Sequence, residues 1–248
     1  MNEKINLCFL KTIISSNKFI LSLLILILLN FFMIGKYSAN MEYLNAFINV
    51  NSLFTYNTLI VAVLLLSTLN TLKIYEDYRN IIIRYKSKKK YFIELIKIVL
   101  IINLIIVIIN YILLFTGLNF FAKPINSVII PDYGVSTIIY TIFIFVKKLL
   151  LFELLTIMFL IINKNLNKNL AIIISVIMVL CLFIAPYNDV YVNSFGKFQI
   201  FYWDYFVVHR YSSFILELSF FGIYFCISFF ILYLLSLFTI KKIKVIGD

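Results

Sequence analysis

The sequence is divided into apolar runs about as long as a lipid bilayer is thick. Residues 19–35 read FILSLLILILLNFFMIG without a charge, and further apolar runs cover about 53–74, 93–118, 135–163, 168–185 and 213–240. A helix of about 20 apolar residues crosses the hydrocarbon core. No water is available there, so a spanning segment must satisfy its own backbone, as a helix or within a closed barrel. These runs are continuous rather than alternating ten-residue segments, which selects helices. The mean hydropathy is +1.04 and only 13% of residues are charged, about half the ~25% of a soluble domain. The expected fold is an all-α integral membrane protein, a single transmembrane domain over residues 1–248 with six transmembrane helices.

Six spans put both termini on one side, and the distribution of Lys and Arg says which. With the termini inside, sixteen of the 22 basic residues flank the inner ends of spans and four flank the outer ends; Lys147 and Lys148 lie within the fourth span. Basic residues accumulate on the cytoplasmic side, so both ends are expected there. The same rule accounts for the net charge of +11, together with attraction to anionic headgroups. There is no soluble basic face to hold nucleic acid, which is not expected as a partner. Ahead of the first span, Leu7, Leu10, Ile13 and Ile14 recur at helical spacing beside Lys4, Lys11 and Lys18. This pattern predicts a short amphipathic helix lying in the cytoplasmic interface. No small-residue cleavage motif follows the first run, which is expected to be retained.

Several chemistries lack their residues. Cys8, Cys181 and Cys226 have no ligand-spaced neighbours, and His209 is the only histidine, so neither a disulfide framework nor a multi-histidine zinc site is expected. No phosphate-binding loop of the G-x-x-x-x-G-K-[ST] form and no H-E-x-x-H motif occurs. ATP-driven work would therefore require another chain, and no catalytic residue is assigned. The segment 187–212, with Trp203 and His209, is rich in aromatics and reads as an interfacial aromatic belt or an outer cap.

Charge is concentrated in 75–92, YEDYRNIIIRYKSKKKYF, between the second and third spans. Topology alone explains Lys86 to Lys90. It does not explain why Ile81, Ile82, Ile83 and Tyr85 sit between an acidic half (Glu76, Asp77) and a basic half beginning at Arg84. Acids leading and bases trailing suit the dipole of a short helix, and apolar residues in a cytoplasmic connection call for a partner surface.

Charge inside the fourth apolar run, at Lys147, Lys148 and Glu153, costs at least ~2.5 kcal/mol each on insertion scales and marks pairing or function. Glu153 is about 140° and 120° around a helix from the two lysines, so they do not share a face. Either they reach other spans or a cavity, or residues 135–148 form an interfacial or re-entrant helix and a shorter span covers 149–163. Glu217, near the outer end of the last run, is a candidate partner for Lys148 or Arg210.

This plan resembles the permease subunit of a type 2 ABC exporter, similar to the small permeases of bacterial peptide, bacteriocin or lantibiotic export and immunity systems. The likeness lies in FLKTIISSNKF before the first span and in YEDYRNIIIRYKSKKKYFIELIK between the second and third. Asp77 to Asn80 stand where that family often has a Gly-Thr pair. The resemblance implies that 75–92 is a coupling helix docking into a separate ATPase, present in two copies, which would bind the ATP and Mg. Glu76, Asp77, Arg79, Ile82, Arg84, Tyr85 and Lys90 would make that contact. It further implies a second permease chain, identical or sister, an amphipathic or hydrophobic peptide as cargo or as the target of immunity, and a bacterial plasma membrane. Lys147, Lys148, Glu153 and Glu217 would line the translocation path or the permease interface. The rival reading is a membrane immunity or assembly protein without transport activity.

Overall fold

The computed structural model describes residues 2–77, 87–123, 129–130, 134–167, 169–175, 177 and 213–242. Seven helices are bounded there: α1 (Asn2–Ile14), α2 (Asn17–Ser38), α3 (Tyr43–Ser52), α4 (Phe54–Asp77), α5 (Lys88–Phe121), α6 (Thr137–Asn165) and α7 (Phe214–Lys242). A two-residue hairpin precedes α6: Ile129 of β1 (Ile129–Ile130) pairs with Ser136 of β2 (Val135–Ser136), antiparallel. Residues 169–175 are also helical.

The helices begin where a serine can cap them. Ser16, Ser87 and Ser136 sit in extended backbone ahead of α2, α5 and α6 and accept from the amides of Phe19, Lys90 and Ile139. Ser213 does the same for Leu216 at the start of α7. Each cap satisfies one of the first-turn N–H groups that a helix leaves unpaired.

Four of the described helices are long and apolar enough to cross a membrane: Asn17–Ser38, Thr55–Tyr75, Lys88–Phe121 and Phe214–Lys241. The 34 residues of α5 extend about 51 Å at 1.5 Å per residue, well beyond the hydrocarbon core. The outer surface is as apolar as the interior. On α2, Phe19, Leu26, Asn30, Met33 and Ile34 are buried, whereas Leu28, Phe31 and Phe32 are more than 60% exposed. Such a surface is stable against lipid and not against water. The chain is thus an all-α protein of the multi-pass membrane class.

Contacts between helices fix their directions. Asn70 of α4 donates to Ser16 at the start of α2, the Tyr75 ring meets Tyr91 near the start of α5, Lys164 lies over Tyr91, and Asn165 donates to Thr239 near the end of α7. The start of α2, the end of α4, the start of α5 and the ends of α6 and α7 therefore share one end of the bundle. That end carries Lys18, Lys73, Lys88 to Lys90, Lys97, Lys164 and Lys241, and we call it the basic end. At the opposite end the Tyr43 amide donates to the Lys123 carbonyl and the Lys123 amide to the Met41 carbonyl. Asn40, with φ 67°, turns the chain between α2 and α3, a left-handed conformation that asparagine tolerates better than most residues.

The polar residues 36–52 between the first two apolar runs are more than a link between spans. They contain α3, whose Leu44, Ala46, Phe47 and Val50 are buried. Phe47 stacks on Phe115, with centroids 5.5 Å apart and planes at 4°. From Tyr43 beside Lys123, α3 descends to Asn51 beside Tyr111, and after a break at Leu53 α4 continues the descent. The second crossing is thus a broken helix. Residues 135–148 do not form an interfacial element separate from a short span at 149–163: α6 is one continuous helix of 29 residues.

Candidate functional site

The middle of the bundle holds a buried polar cluster centred on two consecutive lysines of α6. Successive residues on a helix point about 100° apart, so Lys147 and Lys148 address different neighbours. The Lys147 ammonium lies 2.7 Å from Glu217 Oε1, with side chains only 4% and 2% exposed. The rings of Phe143 and Phe221 flank this ammonium with centroids 5.9 and 6.0 Å away, so aromatic faces also stabilise the cation. Glu217 stands in the first turn of α7, where the helix dipole favours a carboxylate.

Lys148 turns to the break between α3 and α4. Its Nζ donates to the Asn51 carbonyl at 2.7 Å and to Asn57 Oδ1 at 2.8 Å. Asn51 is in the last turn of α3, where carbonyls lack intrahelical partners and the dipole is negative. The Asn57 amide donates to the same carbonyl and to that of Leu53. One side chain therefore spans the break and holds the lysine there. Tyr111 of α5 donates to Asn51 Oδ1 at 3.2 Å. Lys147 lies ten residues inside α6 and Tyr111 ten residues from the end of α5, each about 15 Å of helix from the end opposite the basic one.

A second polar group ties α2, α4 and α5 together. Tyr56 donates to Asn30 Oδ1 at 2.8 Å, Asn30 Nδ2 donates to Asn110 Oδ1 at 2.8 Å, and Asn110 Nδ2 donates to the Tyr56 oxygen at 3.0 Å. This three-residue ring lets each side chain give and receive in an apolar setting, where an unmade bond is costly.

Of the residues singled out from sequence, Lys147, Lys148 and Glu217 come together here, and Glu217 takes Lys147 rather than the expected Lys148. Glu153 lies elsewhere on α6, half-buried, and its Oε2 has no hydrogen-bond partner among the described residues. Lys90 is exposed at the basic end, and Glu76 and Asp77 close α4. Arg79, Ile82, Arg84, Tyr85 and Arg210 lie outside the described residues, as does the aromatic segment 187–212. Sequence reading missed Asn30, Asn51, Asn57, Tyr56, Asn110 and Tyr111. The available signal was a lone amide within an apolar run, as in LLNFF and IINYI.

A third aromatic contact bears on the charged segment. Phe9 of α1 meets Tyr75 at 5.3 Å between centroids, and Tyr75 meets Tyr91 at 5.3 Å. With Ile13 fully buried, α1 is docked beside both ends of that segment.

No protein-family model, curated protein or solved structure matches this chain. Among the described residues, no three His, Cys, Asp or Glu side chains are grouped to hold a metal ion. What the cluster offers is a set of charges and amides at membrane depth, each held by a partner on another helix.

Proposed function

We propose that the chain is the membrane-spanning permease subunit of an ATP-driven ABC exporter, energised by a separate ATPase through the segment 75–92. The observation that carries this reading is the Phe9–Tyr75–Tyr91 contact. It joins α1 to both flanks of the most charged connection in the chain, so a pull on that connection is transmitted directly to α1, α4 and α5. A partner needs such a mechanical handle to drive a bundle that has no phosphate-binding loop of its own.

The helix directions support six spans. α6 and α7 run the same way, so the chain between them has to return from the basic end to the opposite one. α2 starts and α7 ends at the basic end, which by its lysines is the cytoplasmic one. The buried cluster supports a switching role. Lys147 faces α7, Lys148 faces the α3–α4 break, and polar groups at this depth commonly mark substrate paths or moving interfaces. A pair of permeases would alternate between two arrangements as two ATPases close on nucleotide, with an amphipathic peptide as the cargo class.

The test is co-purification of the tagged chain from its native membranes with any associated ATPase, followed by ATPase assay. The wild-type chain should retain the ATPase. Glu76→Ala, Arg84→Ala and deletion of 81–85 should lose it while still inserting. If the ATPase is retained at wild-type yield by all three, the coupling role of 75–92 is wrong. If none associates with the wild-type chain, the non-transporting reading as an immunity or assembly protein replaces this one.

A further inference from the structure

A groove of about 350 Å³ opens on the surface of the bundle between α2, α4 and the helical residues 169–175. Its lining is ordered along the helix axes. At the basic end stand Lys18 of α2 and Lys73 of α4, both exposed. The Asn70–Ser16 hydrogen bond, 2.8 Å long, holds the two helices at the same level there. Deeper on α2 the groove is walled by Leu21 and Ile25, three and seven residues from Lys18. Deeper on α4 it is walled by Leu69 and Leu66, four and seven residues from Lys73, and Ile172 forms the third wall. These spacings keep each stripe on one helical face, so two cations share a mouth and apolar side chains fill the next ~10 Å below it. No carboxylate is paired with either lysine among the described residues.

We propose that this groove binds an anionic phospholipid of the leaflet at the basic end. Its phosphate sits between Lys18 and Lys73 beside the second N–H of the Asn70 amide, and one acyl chain lies against Leu21, Ile25, Leu66 and Leu69. Charge complementarity selects the headgroup, since two cations with no carboxylate partner among the described residues stand at the mouth, and anionic headgroups are drawn to basic residues at the membrane surface. Apolar walls directly below the cations select a lipid over a soluble anion. A second groove at the same end, between α5, α6 and α7, provides an internal comparison: Lys89 and Lys97 border it, but Lys97 is paired with Glu94 at 3.1 Å. The proposal concerns lipid alone and holds whether or not the chain transports anything.

The experiment is native mass spectrometry of the purified full chain in detergent. It is titrated with phosphatidylglycerol and, separately, with phosphatidylcholine of the same acyl chains. The wild-type chain should retain one phosphatidylglycerol in preference to phosphatidylcholine. Lys18→Gln and Lys73→Gln should each weaken that binding about fivefold, and the pair about 25-fold. Lys89→Gln with Lys90→Gln removes the same charge from the same end and should leave binding within twofold. Leu66→Trp fills the groove from an already exposed position and should abolish retention with both lysines intact. Equal binding of both lipids, unchanged binding by the Lys18/Lys73 double variant, or an equal loss in the Lys89/Lys90 control would overturn the proposal. So would displacement of the lipid by millimolar inorganic phosphate, which would make the ligand a soluble anion.

Discussion

Lys147 and Glu217, seventy positions apart in the chain, meet at 2.7 Å inside the bundle and join α6 to α7. Neither helix could carry its charge at this depth alone. Removing one partner strands the other charge, which costs about 3–5 kcal/mol for a buried pair. Lys147→Met and Glu217→Leu should therefore each lower the thermal unfolding midpoint in detergent sharply. The double variant Lys147→Met/Glu217→Leu should recover most of that loss, because an apolar pair of similar volume is close to neutral. Additive losses in the double variant would mean that the two charges are not coupled.

The Asn30–Tyr56–Asn110 ring and Asn103 give opposite expectations. Tyr56→Phe leaves two buried amides short of a partner and should cost about 1–2 kcal/mol. Asn103 is equally buried, but neither its Oδ1 nor its Nδ2 has a partner among the described residues. Asn103→Leu should leave stability unchanged or raise it, since an unsatisfied amide is removed from an apolar setting. Unfolding midpoints of the two variants in the same detergent decide the matter, and a loss at Asn103 as large as at Tyr56 would contradict it.

Asn57 should matter more than Tyr111 to the second lysine. Asn57→Leu removes an acceptor from the Lys148 ammonium and the donor that bridges the helix break. Tyr111→Phe removes only a neutral hydrogen bond to Asn51. Hydrogen bonds to charged groups contribute about 1.5–3 kcal/mol against ~1 for neutral ones, so the Asn57 variant should be the less stable by at least ~1 kcal/mol. Protease susceptibility of the α3–α4 break should rise in that variant first.

Gly117 of α5 lies against Ile34 of α2. A Cβ at that position would come within 2.7 Å of Ile34 Cδ1. Gly117→Ala should cost about 1–3 kcal/mol through overpacking. Ile34→Val deletes the clashing methyl, so the double variant should be more stable than Gly117→Ala alone. A double-mutant cycle on unfolding midpoints gives the coupling, and a value near zero would show that the helices move apart freely.

The class of this protein was legible in its sequence because the bilayer imposes it. Apolar runs of membrane length permit little but helices, and five of the six runs correspond to described helices with ends displaced by at most five residues, four of them long and apolar enough to cross a membrane. The run 168–185 is described only in part. The grouping of lysines at one end was legible for the same reason, since it follows from chain order. α3 was not legible. Its three asparagines gave no sign of burial, and only the tertiary structure shows that the Asn49 and Asn51 side chains donate to the Tyr37 and Phe47 carbonyls and that the Asn51 carbonyl receives Lys148. The partner of Lys147 was equally hidden. Periodicity shows which face of α6 a charge occupies but not which helix lies opposite.

The sequence by itself determined that this chain must fold in lipid as helices with one strongly basic end, because backbone hydrogen bonding and charge solvation leave no other solution. Only the tertiary structure decided that Glu217 pairs with Lys147, that a broken helix end receives Lys148, and that Phe9 packs on Tyr75, which in turn meets Tyr91. Those choices depend on contacts between residues tens of positions apart, which no local pattern records.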